Sequence, residues 1–169
     1  MKGLSKILFY GMAAMVAAAL FTSCFNEDDP YDPNKQLEKE NRIIEGFLVE
    51  NNLNSNVLID SLYDMRILIH STENSANRPL TGDNIVTDYI LYDLDSNKYD
   101  SSYDRNEPLS FIYNSSGVIL GFNVGFLYLQ EGDSATFFVP SPLAYGPNQQ
   151  GSIPPNTTLI FNVKFKSLN

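Results

Sequence analysis

An α+β fold, with an antiparallel sheet and one short helix, is the architecture this sequence predicts, and three stretches carry that prediction. Ile85 to Leu94 (IVTDYILYDL) is dense in β-branched and aromatic residues, the composition that suits a pleated, half-buried strand. Near the C-terminus Leu159, Phe161, Val163 and Phe165 alternate with other residues, the period of two that places one face of a strand on a core. Between these runs Val118 to Leu129 (VILGFNVGFLYL) puts Phe122, Phe126 and Leu129 on one helical face, with Gly132 placed as a stop. Strands on both sides of one short apolar helix, with no repeat or heptad, define the α+β plan.

The elements follow in chain order after an N-terminus that stands apart. Lys2 and Lys6 precede an apolar run from Ile7 to Phe21, too short for a comfortable membrane span and suited to the h-region of a secretory signal. The run ends in Leu20-Phe21-Thr22-Ser23-Cys24, and Cys24 is the single cysteine, so no intramolecular disulfide can form. This segment resembles the lipobox of bacterial lipoproteins, with Phe21 where leucine is preferred. It implies a signal peptide over 1–23, lipidation at Cys24 and attachment to a membrane. Residues 24–34 then read as an acidic tether punctuated by Pro30 and Pro33. Its triplet Glu27-Asp28-Asp29 resembles the export signal of some Gram-negative surface lipoproteins. The expected location is therefore the Gram-negative cell envelope, lipid-anchored at the outer membrane.

Eleven basic residues against twenty acidic ones give a formal net charge of −9, which argues against a nucleic-acid partner. From Lys35 to Asn51 the apolar positions Leu37, Ile43, Ile44, Phe47 and Leu48 recur at helical spacing, predicting an amphipathic helix. A cluster of asparagines ends it, and Ser61 to His70 reads as a strand. The two form an N-terminal extension over 35–70, before a domain over 71–169. His70 is the only histidine and lacks the partners that a metal or catalytic site needs. Short strands are expected at Lys98 to Ser101, Pro108 to Tyr113 and Asp133 to Val139. The stretch Val139 to Val163 then holds five prolines; it cannot supply a ladder of N–H donors and is expected to be a stiff, shaped loop feeding the last strand.

Four ordered motifs tie these pieces together: Tyr99-Asp100-Ser101-Ser102 with Arg105 and Pro108 behind it, Val118-Ile119-Leu120-Gly121-Phe122, Ala144-Tyr145-Gly146, and Ile153-Pro154-Pro155-Asn156 before Leu159-Ile160-Phe161. In this order and spacing the chain from about Thr81 to Leu168 resembles an FKBP-type peptidyl-prolyl cis-trans isomerase. The resemblance implies a curved antiparallel β-sheet wrapped on one short α-helix, with an aromatic pocket between them. It implies Asp100 and Tyr145 as the catalytic polar members, Tyr145 donating its hydroxyl to a substrate carbonyl and Arg105 holding Asp100. Tyr89 and Phe161 would be walls, Phe122 the floor in place of the family's tryptophan, and Tyr99 and Leu109 occupants of usual phenylalanine positions. Val118, Ile119 and Ile153 would complete the rim. The implied substrates are proline-containing exported polypeptides, with macrolide inhibitors as further ligands, and no cofactor or metal is needed.

Two further readings stay open beside the enzyme: a catalytically weak module that binds polypeptides as a chaperone, and a surface lipoprotein that uses the scaffold for interaction. The presence of both Asp100 and Tyr145 favours the enzyme, although a fold alone does not fix a function. No serine stands in a nucleophile elbow and no glycine-rich loop opens a helix in phosphate-binding fashion.

Overall fold

The computed structural model describes residues 30–72 and 77–169. Cys24, the apolar run before it and the acidic triplet lie outside the described residues. Tyr31–Asn169 is one compact unit built on an antiparallel seven-stranded sheet.

Helix α1 (Pro33–Glu50) starts where Asp32 accepts hydrogen bonds from the amides of Asn34 and Lys35, with Pro33 supplying the first helical φ angle. It ends at Asn51, whose side chain donates to the Phe47 carbonyl at 2.8 Å. After a 3₁₀ turn come β1 (Val57–Ile59) and β2 (Arg66–Ser71). The sequence reads Ser61 to His70 as continuous strand, but its first residues form a tight turn. Asp60 accepts from the amides of Leu62 and Tyr63 at 3.1 and 2.6 Å, and Asp64 adopts φ 54°. An Asx turn competes directly with strand pairing here.

Strand β3 (Asn84–Asp93) is followed by β4 (Lys98–Ser101), the single-turn helix α2 (Ser102–Arg105) and β5 (Leu109–Ile112). Both β4 and β5 pair with β3, one beside Ile90–Tyr92 and the other beside Asn84–Thr87. They share one edge of β3, interrupted by α2. Helix α3 (Leu120–Leu127) is shorter than its apolar run, because Ile119 is extended at ψ 153° and Tyr128 already closes the last turn. Strands β6 (Ser134–Val139) and β7 (Leu159–Leu168) complete the sheet in the order β1-β2-β6-β7-β3-β4. Residues 35–70 thus supply α1, β1 and β2, and β2 is hydrogen-bonded to β6 within the same sheet.

Alternation along the strands divides the apolar side chains between two faces. Phe137, Val139, Leu159, Phe161, Val163 and Phe165 pack with Phe122 and Phe126 of α3. Phe138, Ile160 and Leu68 point the other way and are covered by Ile44 and Leu48 of α1. Each such side chain, fully buried, contributes about 1.5–3 kcal/mol. The approach of α3 to the sheet is close enough to require glycine: a Cβ on Gly121 would lie 2.2 Å from Val139, and one on Gly125 2.4 Å from the Phe137 ring.

Candidate active site

The site grows from β3. Its alternate residues Ile85, Thr87, Tyr89, Leu91 and Asp93 are buried, so the tyrosine at 89 is delivered to the α3 side by strand geometry alone. Its ring centroid lies 6.2 Å from those of Phe122 and Phe161. Phe122 is the hub: it is 5.0 Å from Phe161, 5.4 Å from Phe111 and 5.2 Å from Phe126, all in tilted or edge contacts. Such geometry satisfies the ring quadrupoles and adds about 0.5–1.5 kcal/mol per pair beyond area burial.

The polar side of the site is built by β4 and α2. Ser101 caps α2 by accepting from the Tyr103 amide at 3.2 Å, and Asn106 ends the helix in the left-handed region at φ 52°. That single turn returns Arg105 toward Asp100. The Asp100 carboxylate accepts from the Tyr89 hydroxyl, from the Arg105 guanidinium and, at 2.7 Å, from the Ser101 amide. Arg105 also donates to the Tyr89 oxygen at 3.1 Å, its guanidinium carbon 5.7 Å from the ring centroid. Burial opposes ionisation of Asp100, yet these donors and the positive charge outweigh it and hold its carboxyl below the usual range. Burial, then the bond to Asp100, pushes the Tyr89 hydroxyl up.

Tyr99 packs half-buried against the same core and donates to Asp93 at 2.8 Å. Asp93 also accepts from the amides of Asp95 and Asn97 and from the Asn97 side chain, each at 2.9 Å. Burial again opposes its charge, and these four donors overcome that cost and lower its pKa. Ser102, buried, accepts from the Tyr89 amide at 3.0 Å and donates to Asp88 at 3.1 Å. Asp93 is not among the residues the sequence motifs single out, and Ser102 stands in the Tyr99-Asp100-Ser101-Ser102 motif without a role assigned to it. The Asp-Leu-Asp-Ser-Asn run was the available signal for the first, since Asx side chains cap their own turns.

The proline-rich segment forms the remaining wall. After a 3₁₀ turn at Ser141–Leu143, the Ser141 carbonyl accepts from the amides of Ala144 and Gly146 at 2.9 and 2.8 Å. Gln150 and Ile153 exchange two backbone bonds at 3.0 and 2.9 Å, and this small loop presses Ile153 into the aromatic core. Tyr145 is half-buried; burial and then the negative charge of Asp100 raise its pKa. Among the described residues its hydroxyl has no hydrogen-bond partner. Val118, Ile119 and Leu109 lie half-buried at the edge of the cluster. The Ile119 carbonyl accepts from the amides of Phe122 and Asn123 at 3.1 and 3.3 Å.

The structure therefore gathers Tyr89, Tyr99, Leu109, Val118, Ile119, Phe122, Tyr145, Ile153 and Phe161 around one apolar cluster, with the Asp100–Arg105 pair joined to it through Tyr89. Cys24 lies outside the described residues. Two grooves of about 540 and 460 Å³, both bordered by His70, Thr136 and Asn162, sit on the outer sheet face and contain none of these side chains. Among the described residues no three His, Cys, Asp or Glu side chains converge as a metal site, and no helix is long and apolar enough to cross a membrane.

An antiparallel sheet packed on a short apolar helix, with a tyrosine–aspartate–arginine network at the margin of an aromatic cluster, defines a class of small α+β proteins. Comparison with known proteins agrees on which class. The model of the FKBP-type peptidyl-prolyl cis-trans isomerase family matches residues 75–166, and the chain belongs to that family. FK506-binding protein 1 of Saccharomyces cerevisiae is 38% identical over 100 residues, covering 59% of this chain and 88% of the yeast protein. The FKBP-type peptidyl-prolyl cis-trans isomerase FkpA of Escherichia coli is 38% identical over 86 residues, 51% of this chain and 31% of FkpA. The crystal structure of FkpA superposes with a TM-score of 0.66 at 27% identity, covering 80% of this chain and 64% of that one. The chain thus spans about a third of the full FkpA sequence.

Proposed function

We propose that this protein is a lipid-anchored prolyl isomerase of the Gram-negative envelope, acting on exported polypeptides by desolvating and twisting X–Pro amides against its aromatic cluster. The observation that carries the reading is the Tyr145 hydroxyl, half-buried and without a hydrogen-bond partner among the described residues, on a side chain packed against the cluster that holds Tyr89, Phe122 and Phe161. The amide barrier of about 18–20 kcal/mol comes from resonance that water reinforces by solvating the charge-separated form. Removing water from the bond favours the twisted, less polar amide, and a hydroxyl directed at the substrate carbonyl fixes its orientation. No nucleophile is required. Uncatalysed prolyl isomerisation takes about 10–100 s, slow enough to limit refolding of proteins that arrive unfolded outside the inner membrane.

Within this reading Asp100 holds Tyr89 and Arg105 in a fixed arrangement at the pocket edge, while Val118, Ile119 and Leu109 form the rim and Ile153 a wall. Macrolides of the kind named for the yeast relative are proposed to occupy the same pocket, with Phe122 presenting a smaller floor than an indole would. The assay that tests the function follows cis-trans exchange in a panel of X–Pro peptides with the full-length protein. Acceleration is expected, falling about tenfold or more in Asp100→Ala and by several-fold in Tyr145→Phe. A folded protein that accelerates exchange for no X would leave the polypeptide-binding module as the better reading. Anchoring at Cys24 is tested separately by incorporation of labelled palmitate, expected in the wild type and lost in Cys24→Ala; label retained in the variant would remove the anchor.

A further inference from the structure

Glu40 sits in α1 one turn before Ile44 and two before Leu48, on the stripe that faces the sheet, and it is only 2% exposed. A carboxylate buried this deeply is costly unless its lone pairs are used. They are all engaged. One oxygen accepts from the Ser141 amide at 2.5 Å and the Thr158 hydroxyl at 2.7 Å; the other accepts from the Ser141 hydroxyl at 2.5 Å and the Gln36 amide at 2.6 Å.

Ser141 and Thr158 are the two ends of the proline-rich segment, the first just after β6 and the second just before β7. One side chain therefore closes both ends of the loop that carries Tyr145 and Ile153. The Ser141 carbonyl then holds the amides of Ala144 and Gly146, the residues on either side of Tyr145, and the Gly146 carbonyl accepts from the Asn156 amide at 2.8 Å. Two hydrogen bonds lead from Glu40 to the backbone flanking Tyr145. The same N-terminal segment makes a second contact. Gly146 has φ 58°, and a Cβ built there would be 3.4 Å from the Tyr31 hydroxyl. Hydrogen bonds are directional, so this arrangement fixes the loop's angle as well as its distance.

We propose that Glu40 is a positioning residue for the isomerase site: α1, which lies outside the family match at 75–166, holds the proline-rich loop so that the Tyr145 hydroxyl faces the pocket. The proposal rests on the role given to Tyr145 above. Its test measures kcat/KM of the full-length protein carrying Glu40→Gln or Glu40→Ala, each in the wild-type and the Tyr145→Phe background, together with hydrogen exchange at the Gly146 amide. Glu40→Ala is expected to lower kcat/KM several-fold, no further than Tyr145→Phe does, because the group it positions is the hydroxyl that Tyr145→Phe removes. Glu40→Gln, which keeps the shape and one acceptor, should fall between. In the Tyr145→Phe background the same changes should cost less than about twofold, because the group being positioned is gone. Equal losses in both backgrounds, or a lowered melting temperature with unchanged kcat/KM, would overturn the proposal. If the Ala variant does not fold, the near-isosteric Gln variant carries the comparison. Should the wild type accelerate no peptide, the isomerase reading fails by itself, and Gly146 exchange then decides the tether: faster exchange in Glu40→Gln supports it, unchanged protection overturns it.

Discussion

Tyr89 shows how much a single position is asked to do: its ring packs on Phe122 and Phe161 while its hydroxyl joins Asp100 and Arg105. The network has a defined pH window. Asp100 has a lowered folded pKa, so its stabilising contribution is complete above the unfolded carboxylate pKa of about 3.9 and is lost as pH falls through the folded value. Tyr89 and Tyr145 have raised folded values, so their contribution is complete below about pH 10 and is lost above it. Stability measured by urea unfolding is therefore expected to be flat from about pH 5 to 9.5 and to drop on both sides. Asp100→Asn should soften the acid drop without abolishing it, since Asp93 titrates in the same sense; an acid limb identical to wild type would show that Asp100 is not coupled to folding. At this scale Tyr145, Asp100 and Arg105 were legible because each sits in a short motif. Asp93, whose donors lie within six residues, had a local signal in its turn; Glu40 had none, since a buried acid looks like a surface acid until its donors, which lie up to 118 residues away, are brought to it.

Elements were legible to the extent that periodicity set them. The β3 and β7 patterns are unambiguous, whereas the Ser61–Asp64 turn hides behind Leu62 and Tyr63, apolar residues that continue a strand pattern while Leu62 is in fact 76% exposed. Helix α3 was readable as a helix but not in its packing, which glycine decides. Gly125 faces the fully buried Phe137 ring, and an added Cβ would overlap it at 2.4 Å. Alanine gains about 1 kcal/mol of helix propensity over glycine, but overpacking against a ring with no room to retreat costs about 1–3 kcal/mol. Gly125→Ala is therefore expected to destabilise on balance. Gly46 on α1 has nothing within 4 Å of its Cβ position, so Gly46→Ala should stabilise by about 0.5–1 kcal/mol. Opposite shifts in denaturation midpoint would verify the pair; two shifts of the same sign would mean that propensity rather than packing governs α3.

For the whole molecule the sheet is the common wall of two apolar clusters, and the strands connect them residue by residue. Phe137 faces α3 and Phe138 faces α1; Phe161 and Ile160 do the same on β7. The α1 side is further fastened by Arg66 of β2, buried and bonded to Glu45 at 2.5 Å, and by Asn41, which donates to Asp64 at 2.8 Å. Loosening α1 cannot then leave the sheet untouched, because the exposed face would be Phe138, Ile160 and Leu68 on the central strands. Ile44→Ala, at a position with no exposure, is expected to cost about 2–5 kcal/mol and to lower the stability of the whole unit. Urea unfolding followed by far-ultraviolet circular dichroism and by tyrosine fluorescence, the chain having no tryptophan, should give one shared transition at a lower midpoint with an unchanged slope. Two separated transitions would mean that α1 melts alone, and that the region beyond the family match is an appendage that the isomerase fold can lose rather than a layer of it.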